Sequence, residues 1–200
     1  GNKKLSIETA SKAVFPIYLN KNMEDFIEGK VNRLGHCTYF SGHLITNDHN
    51  VIEHKGVCFM PHVVNGEVRW CNITFKKVAF DRAISRWDNV YGPAPSRVRN
   101  KDPQVGDKCF VISKRPTFTI AEGFILQVPK DEDSEVTYSC ATEPGDCGAG
   151  VWHEDGYLLG IHRGDVGQCN AFLRIGEKCK AAMNGIKTES NALNLQGPAQ

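Results

Sequence analysis

The sequence is poor in the features that would settle its class at once. No C-x-x-C pair occurs among its eight cysteines, so neither a zinc knuckle nor a thioredoxin-like redox motif is supported. No apolar run approaches the ~20 residues that a transmembrane helix needs. The opening GNKKLSIETASKAV lacks the apolar stretch of a secretory signal. Neither sign of charge is in excess: 24 Lys and Arg face 23 Asp and Glu, a net charge of +1. That balance argues against a surface built wholly for nucleic acid. Low-complexity segments and internal repeats are absent too. What remains is a chain expected to be soluble, 200 residues long and 40% hydrophobic. It is long enough for one large domain or for two small barrels sharing an interface.

The cysteines are present in unusual number: Cys37, Cys58, Cys71, Cys109, Cys140, Cys147, Cys169 and Cys179. An even count suggests disulfides in a secreted chain, and buried thiols, metal ligands or a nucleophile in a cytosolic one. Most lie in apolar runs such as HCTYF and KCFVIS, where cysteine behaves as a small hydrophobe. All but Cys147 are therefore read as reduced structural thiols, which favours a cytosolic setting.

Short β-like runs separated by Gly, Asn and Asp dominate the local pattern. The first half predicts strands at Val14–Leu19, Gly35–Phe40, His43–Thr46, Gly56–Pro61, Val68–Phe75 and Arg82–Trp87. The second half predicts them at Lys108–Ser113, Thr117–Val128, Glu135–Cys140, Gly150–His153, Tyr157–His162 and Cys169–Arg174. Short helices are expected at Asn22–Arg33 and Gly176–Met183. The reading is all-β, as a barrel or sandwich. Prolines at 93, 95 and 103 mark 91–107 as a linker between an N-terminal barrel, 1–90, and a C-terminal barrel, 108–187. Residues 188–200 read as an extended tail.

Four segments carry the chemistry. In Thr142-Glu143-Pro144-Gly145-Asp146-Cys147-Gly148-Ala149-Gly150, Cys147 stands between glycines just ahead of an apolar strand. Gly145 and Gly148 permit positive φ and close approach of a substrate. Such a turn can aim successive N–H groups at a developing oxyanion. An ordinary turn with an incidental Cys fits this segment about equally well. In Gly42-His43-Leu44-Ile45-Thr46-Asn47-Asp48-His49 an apolar strand delivers His49 to a polar turn, where an imidazole can take a thiol proton and return it to a leaving amine. The other histidines at 36, 43, 54, 62 and 153 read as surface or structural residues. Asp81 opens the strand that follows Val78-Ala79-Phe80 and can orient the imidazole, or else pair with Arg82 or Arg86. His162 ends Tyr157-Leu158-Leu159-Gly160-Ile161 and either donates to a substrate amide oxygen or sits in the core.

Taken together and in order, these segments resemble the 3C and 3C-like cysteine proteases of picornaviruses and related positive-strand RNA viruses. The match spans roughly Gly42 to Arg174 and is sharpest at PGDCGAG and LLGIHRG. The resemblance implies a chymotrypsin-like fold of two six-stranded antiparallel β-barrels with short terminal helices. It implies His49 as general base, Asp81 as orienting acid and Cys147 as nucleophile, with an oxyanion hole from the N–H groups of Gly145, Asp146 and Cys147. Thr142, His162 and Gly164 fall at substrate-binding positions, with His162 selecting Gln. Ala149 departs from the family, where many members have glycine, and many use Glu where this chain has Asp81.

The function so implied is a viral polyprotein-processing endopeptidase of the host cytoplasm, cutting after Gln (or Glu) ahead of a small residue such as Gly. Neither metal nor organic cofactor is required. The partner is the viral polyprotein, without a membrane, and the enzyme is expected as a monomer or weak dimer. The family's RNA-binding basic surface has a weak counterpart in Lys76, Lys77, Arg82 and Arg86, although no interleaved aromatics support base stacking. Gly1, Gln200 and the Asn194-Leu195-Gln196-Gly197 segment suggest excision at such bonds and trimming of the tail. The rivals are a catalytically weak protease-fold module that binds viral RNA or protein, and a zinc-stabilised or disulfide-rich structural domain.

Overall fold

The computed structural model describes residues 3–21, 33–115 and 117–185. The alternation of β-branched and aromatic residues with turn formers becomes thirteen strands. The first seven are β1 (Val14–Tyr18), β2 (Arg33–Phe40), β3 (His43–Thr46), β4 (Val57–Val64), β5 (Glu67–Thr74), β6 (Lys76–Ala79) and β7 (Arg82–Arg86). They form one sheet in the order β5-β4-β1-β2-β3-β7-β6, curled as a half-barrel. The remaining six are β8 (Lys108–Arg115), β9 (Thr117–Gln127), β10 (Val136–Tyr138), β11 (Gly150–His153), β12 (Leu158–Val166) and β13 (Cys169–Arg174). They close into an antiparallel barrel, β10-β13-β12-β11-β8-β9. The architecture is the chymotrypsin-like pair of β units expected from the sequence.

Two features of the first half were not anticipated. Strand β6 is an extra edge strand whose KKVA sequence is half charged and pairs only with β7, so it carries little apolar alternation. Helix α1 (Lys3–Ala13) buries only small residues, Ser6, Ala10 and Ala13. It therefore lacks the large apolar stripe by which a helix is recognised. A one-turn helix α2 (Asp48–Val51) follows β3, and a helix α3 spans 176–185, where the terminal helix was expected. The helix expected at Asn22–Arg33 falls on 22–32, outside the described residues, as do Gly1 and the tail with Gln196 and Gly197.

Turn chemistry sets the registers. Asn65 and Gly66 both have positive φ between Val64 and Glu67, the two-residue hairpin that matches strand twist. Phe80 and Asp81 join β6 to β7, with Asp81 at φ 48, a conformation that Asp tolerates better than most side chains. The 91–107 stretch is held against the second barrel, where the Leu158 N–H donates to the Arg99 carbonyl at 2.8 Å.

The two halves share one continuous buried cluster, from Ile17 and Ile45 through Val111 to Trp152 and Ile161. Their closest stitching surrounds residue 147. The His36 N–H and the Asn50 side-chain amide, both from the first half, donate to the Cys147 carbonyl at 2.8 and 3.0 Å. Gly148 lies at φ +91, and a Cβ there would stand 1.9 Å from the His36 carbonyl oxygen. Only glycine fits that position without displacing backbone.

Candidate active site

His49 sits on α2, immediately after the buried end of β3, so a packed strand fixes its main chain while the ring stays 45% exposed. Asp81 reaches it from the β6–β7 turn. One carboxylate oxygen accepts the His49 backbone N–H at 2.9 Å, and the other lies 2.7 Å from Nδ1. Two bonds to one residue fix both the position and the tilt of the ring. The Asp81 hydrogen bond raises the imidazole to about 9, and a hydrogen bond with the Cys147 side chain adds to it against the opposing effect of burial. For Asp81, burial acts upward. The His49 hydrogen bonds and the charges of His49 and Arg163 outweigh it and hold the carboxyl below its ordinary range. The structure thus brings His49, Asp81 and Cys147 together.

Cys147 follows a single 3-10 turn, Pro144–Asp146. The Asp146 carboxylate is buried and anchors this turn: Ser113 Oγ donates to one oxygen at 2.6 Å and the Glu143 N–H to the other at 2.9 Å. The expected oxyanion trio needs correction, because the Asp146 N–H donates to the Glu143 carbonyl at 2.9 Å and is already engaged. Gly145 also differs from expectation. It is not among the glycines at positive φ, and the neighbour that a Cβ would meet is the Arg33 guanidinium, at 2.1 Å. The Cys147 thiol donates to the Arg163 carbonyl at 3.2 Å.

His162 is fully buried on β12. Its main chain is tied to the Cys147 loop, with N–H to the Ala149 carbonyl at 2.8 Å and carbonyl to the Gly148 N–H at 2.9 Å. The Tyr138 hydroxyl lies 2.5 Å from its Nδ1. Burial drives the Tyr138 phenol well above its ordinary range, so it stays protonated and donates. The second ring nitrogen, Nε2, then carries the imidazole proton. Thr142 is half-buried in the irregular run leading to the turn. Gly164 lies at φ +154 with open space around the position of a Cβ.

Three residues that touch the site carried no sequence signal. Arg163 donates from Nε to Asp81 Oδ2 at 3.1 Å, pairs with Glu135, and lies over the Phe80 ring at 5.0 Å. His36 was read as a surface or structural residue. It is fully buried, its Nε2 accepting the Lys114 N–H at 3.0 Å and its Nδ1 lying 2.8 Å from the Gly145 carbonyl. The first bond fixes the tautomer, so Nδ1–H donates and braces the turn before Cys147. Tyr138 is the third. Each acts through a contact more than twenty residues away in sequence, which no local pattern announces.

Other expectations meet the structure as follows. Arg82 is 1% exposed and bonds the carbonyls of Arg174 and Ile175 together with Asp133, so it belongs to the interior and not to a basic surface. Lys77 lies 3.9 Å from Asp48. All eight cysteines are free thiols, the pair Cys109 and Cys140 standing 3.8 Å apart in the second barrel. Among the described residues no cluster of three His, Cys, Asp or Glu side chains could hold a metal ion. No described helix is long and apolar enough to cross a membrane.

Comparison with known proteins supports the fold. The trypsin-like peptidase domain family matches residues 34–161. No curated protein matches significantly. Among solved structures, the HtrA-type protease AlgW with decapeptide superposes with a TM-score of 0.70 at 15% identity, covering 93% of this chain and 67% of that one. AlgW with tripeptide gives 0.66 at 16%, covering 87% and 60%. The serine endoprotease from Yersinia pestis gives 0.65 at 16%, covering 94% and 66%. The chain thus spans 60% to 67% of the length of these structures, and at such identities the likeness is one of fold.

Proposed function

Because the chain belongs to the family of trypsin-like peptidase domains, we propose that it is a cysteine endopeptidase with Cys147 as nucleophile and His49 as base. The observation that carries this reading is the His49 ring, bonded to Asp81 on Nδ1 and raised in basicity by both Asp81 and Cys147. An imidazole placed between a carboxylate and a thiol is equipped to remove the thiol proton.

In the proposed cycle His49 Nε2 takes the Cys147 proton while Nδ1–H stays on Asp81. The thiolate attacks the scissile carbonyl, and the resulting oxyanion is met by the Gly145 and Cys147 amides. Collapse forms a thioester and expels the amine, which takes its proton from His49. Water, deprotonated by His49, then attacks the thioester, releasing the acid and restoring the thiol.

The proposed substrate class rests on His162. Its Nε2–H, fixed by the Tyr138 hydroxyl on Nδ1, can donate to the side-chain oxygen of a Gln just before the scissile bond. Thr142 and Gly164 would flank that side chain. The resemblance to 3C-like proteases supports a viral polyprotein as the substrate and the host cytoplasm as the setting. A screen of peptides varied at the residues flanking the scissile bond tests the reading. Cleavage after Gln by the native enzyme and none by Cys147→Ala is expected, and an inactive native enzyme would overturn it.

A further inference from the structure

A cavity of about 570 Å³ opens where α1, β4, the 93–96 stretch and the β8–β9 hairpin meet. None of the residues of the candidate active site lines it. Its volume lies within the roughly 300–1,000 Å³ of small-molecule sites. The walls are apolar, with Phe15, Pro61, Val63, Pro95 and Phe118 as the main surfaces. Phe15 is held rigid from behind, packing against His62 and Trp87 at ring distances of 5.5 and 5.8 Å.

One cationic side chain is built into this apolar shell. Lys114 pairs with Phe118 across the hairpin, which puts both side chains on one face. Its ammonium donates to the Ser11 carbonyl in the last turn of α1 and lies 5.5 Å from the Phe15 ring centroid. These partners are a peptide dipole and a ring face, neither of them an anion. An ammonium has three donors, and no Asp or Glu lines the cavity. The other titratable groups facing Lys114 are Lys12 from α1, His62 from β4 and the buried Cys37 thiol from β2. His62 is pushed toward its neutral form by burial and by the charges of Lys114 and Arg69. The cavity therefore offers positive charge inside an apolar enclosure with nothing negative to balance it.

We propose that this cavity binds a small amphipathic carboxylate, an aryl or medium-chain acyl acid. Its apolar body lies between Phe15 and Phe118, and its carboxylate sits on the Lys114 ammonium. The Lys114 ammonium in a greasy cleft, with the exposed Lys12 also lining it, suits one carboxylate. A phosphate calls for several converging donors or a guanidinium fork, and the cavity has no Arg. Burial draws Lys114 down to about 8. An arriving anion favours the ammonium, so binding is strong below that value and fades as pH rises through it.

Calorimetric titration of the whole chain with decanoate tests the site, with decanol and acetate as probes lacking the charge or the body. One decanoate is expected to bind, with decanol and acetate each about tenfold weaker or worse. Lys114→Met, which keeps the apolar stem, should lower decanoate affinity about tenfold to the level of decanol. The exposed Phe118→Ser should weaken decanoate and decanol alike. Raising the pH from about 7 to about 9.5 should weaken decanoate only, as the ammonium is lost. Equal affinity for decanoate and decanol, or no pH effect, would overturn the proposal even if Lys114→Met proved unfolded.

Discussion

Arg163 Nε and Asp81 Oδ2 meet at 3.1 Å across the two β units, on the same carboxylate oxygen that faces His49 Nδ1. The main-chain carbonyl of Arg163 also accepts the Cys147 thiol. One residue of the second barrel thus holds the Asp81 carboxylate with its side chain and the Cys147 thiol with its backbone.

Arg163→Gln should therefore lower kcat/KM by about 10- to 100-fold, the scale of a lost hydrogen bond to a charged group. Arg163→Lys, which keeps the charge near Asp81, should recover part of that loss. Wild-type rates in Arg163→Gln would show that the contact is incidental.

The His49 titration is directly measurable. Its folded pKa of about 9 lies above the ordinary 6.5. Its contribution to stability is thus fully present below about 6.5 and lost as pH rises through about 9. Thermal unfolding should fall over that window. NMR of the imidazole should give a midpoint near the raised value, and Asp81→Asn should lower it, leaving only the Cys147 contacts to act upward against burial. Asp81→Asn should also reduce kcat by about 10²- to 10⁴-fold through loss of the correct tautomer.

Selectivity for Gln should depend on a hydroxyl that never touches the substrate. Tyr138→Phe leaves the packing against Phe172 intact but removes the donor on His162 Nδ1. Discrimination between Gln and Asn or Met at that position is expected to drop about tenfold or more, while cleavage of the poor substrates changes little. A uniform fall for all peptides would mean that Tyr138 serves folding alone.

Thiol chemistry should single out two residues. Cys147 and Cys169 are half-buried and the other six are buried. Burial raises the thiols of Cys37, Cys58, Cys71 and Cys179, and their thiolate fraction is correspondingly small. Brief alkylation of the native protein, mapped by mass spectrometry, should label Cys147 and Cys169 and abolish cleavage. Cys169→Ser should remain fully inhibitable.

Much of this architecture was legible because turn residues punctuate it. His43–Thr46, Gly150–His153 and Cys169–Arg174 are strands with the bounds read from sequence, since each is a short apolar run with polar residues or Gly at its ends. His49 stood out where a strand gives way to a turn, and Asp81 and Cys147 stood out just ahead of an apolar strand. The bracing residues did not stand out. A buried His36 and a surface histidine look alike in a sequence, and the partner of Arg163 is 82 residues away. The oxyanion assignment erred at Asp146 because a motif lists residues without saying which N–H a 3-10 turn consumes.

The Cys147 carbonyl is gripped by His36 and Asn50, which come from the opposite half of the molecule. The sulfur is thus presented by a seam, and neither unit owns it. Taken separately, the first unit holds the imidazole without the thiol, and the second holds the thiol without the two donors that anchor its loop. The proposed peptidase activity would therefore need both units docked, and a chain without its final strands would lack it.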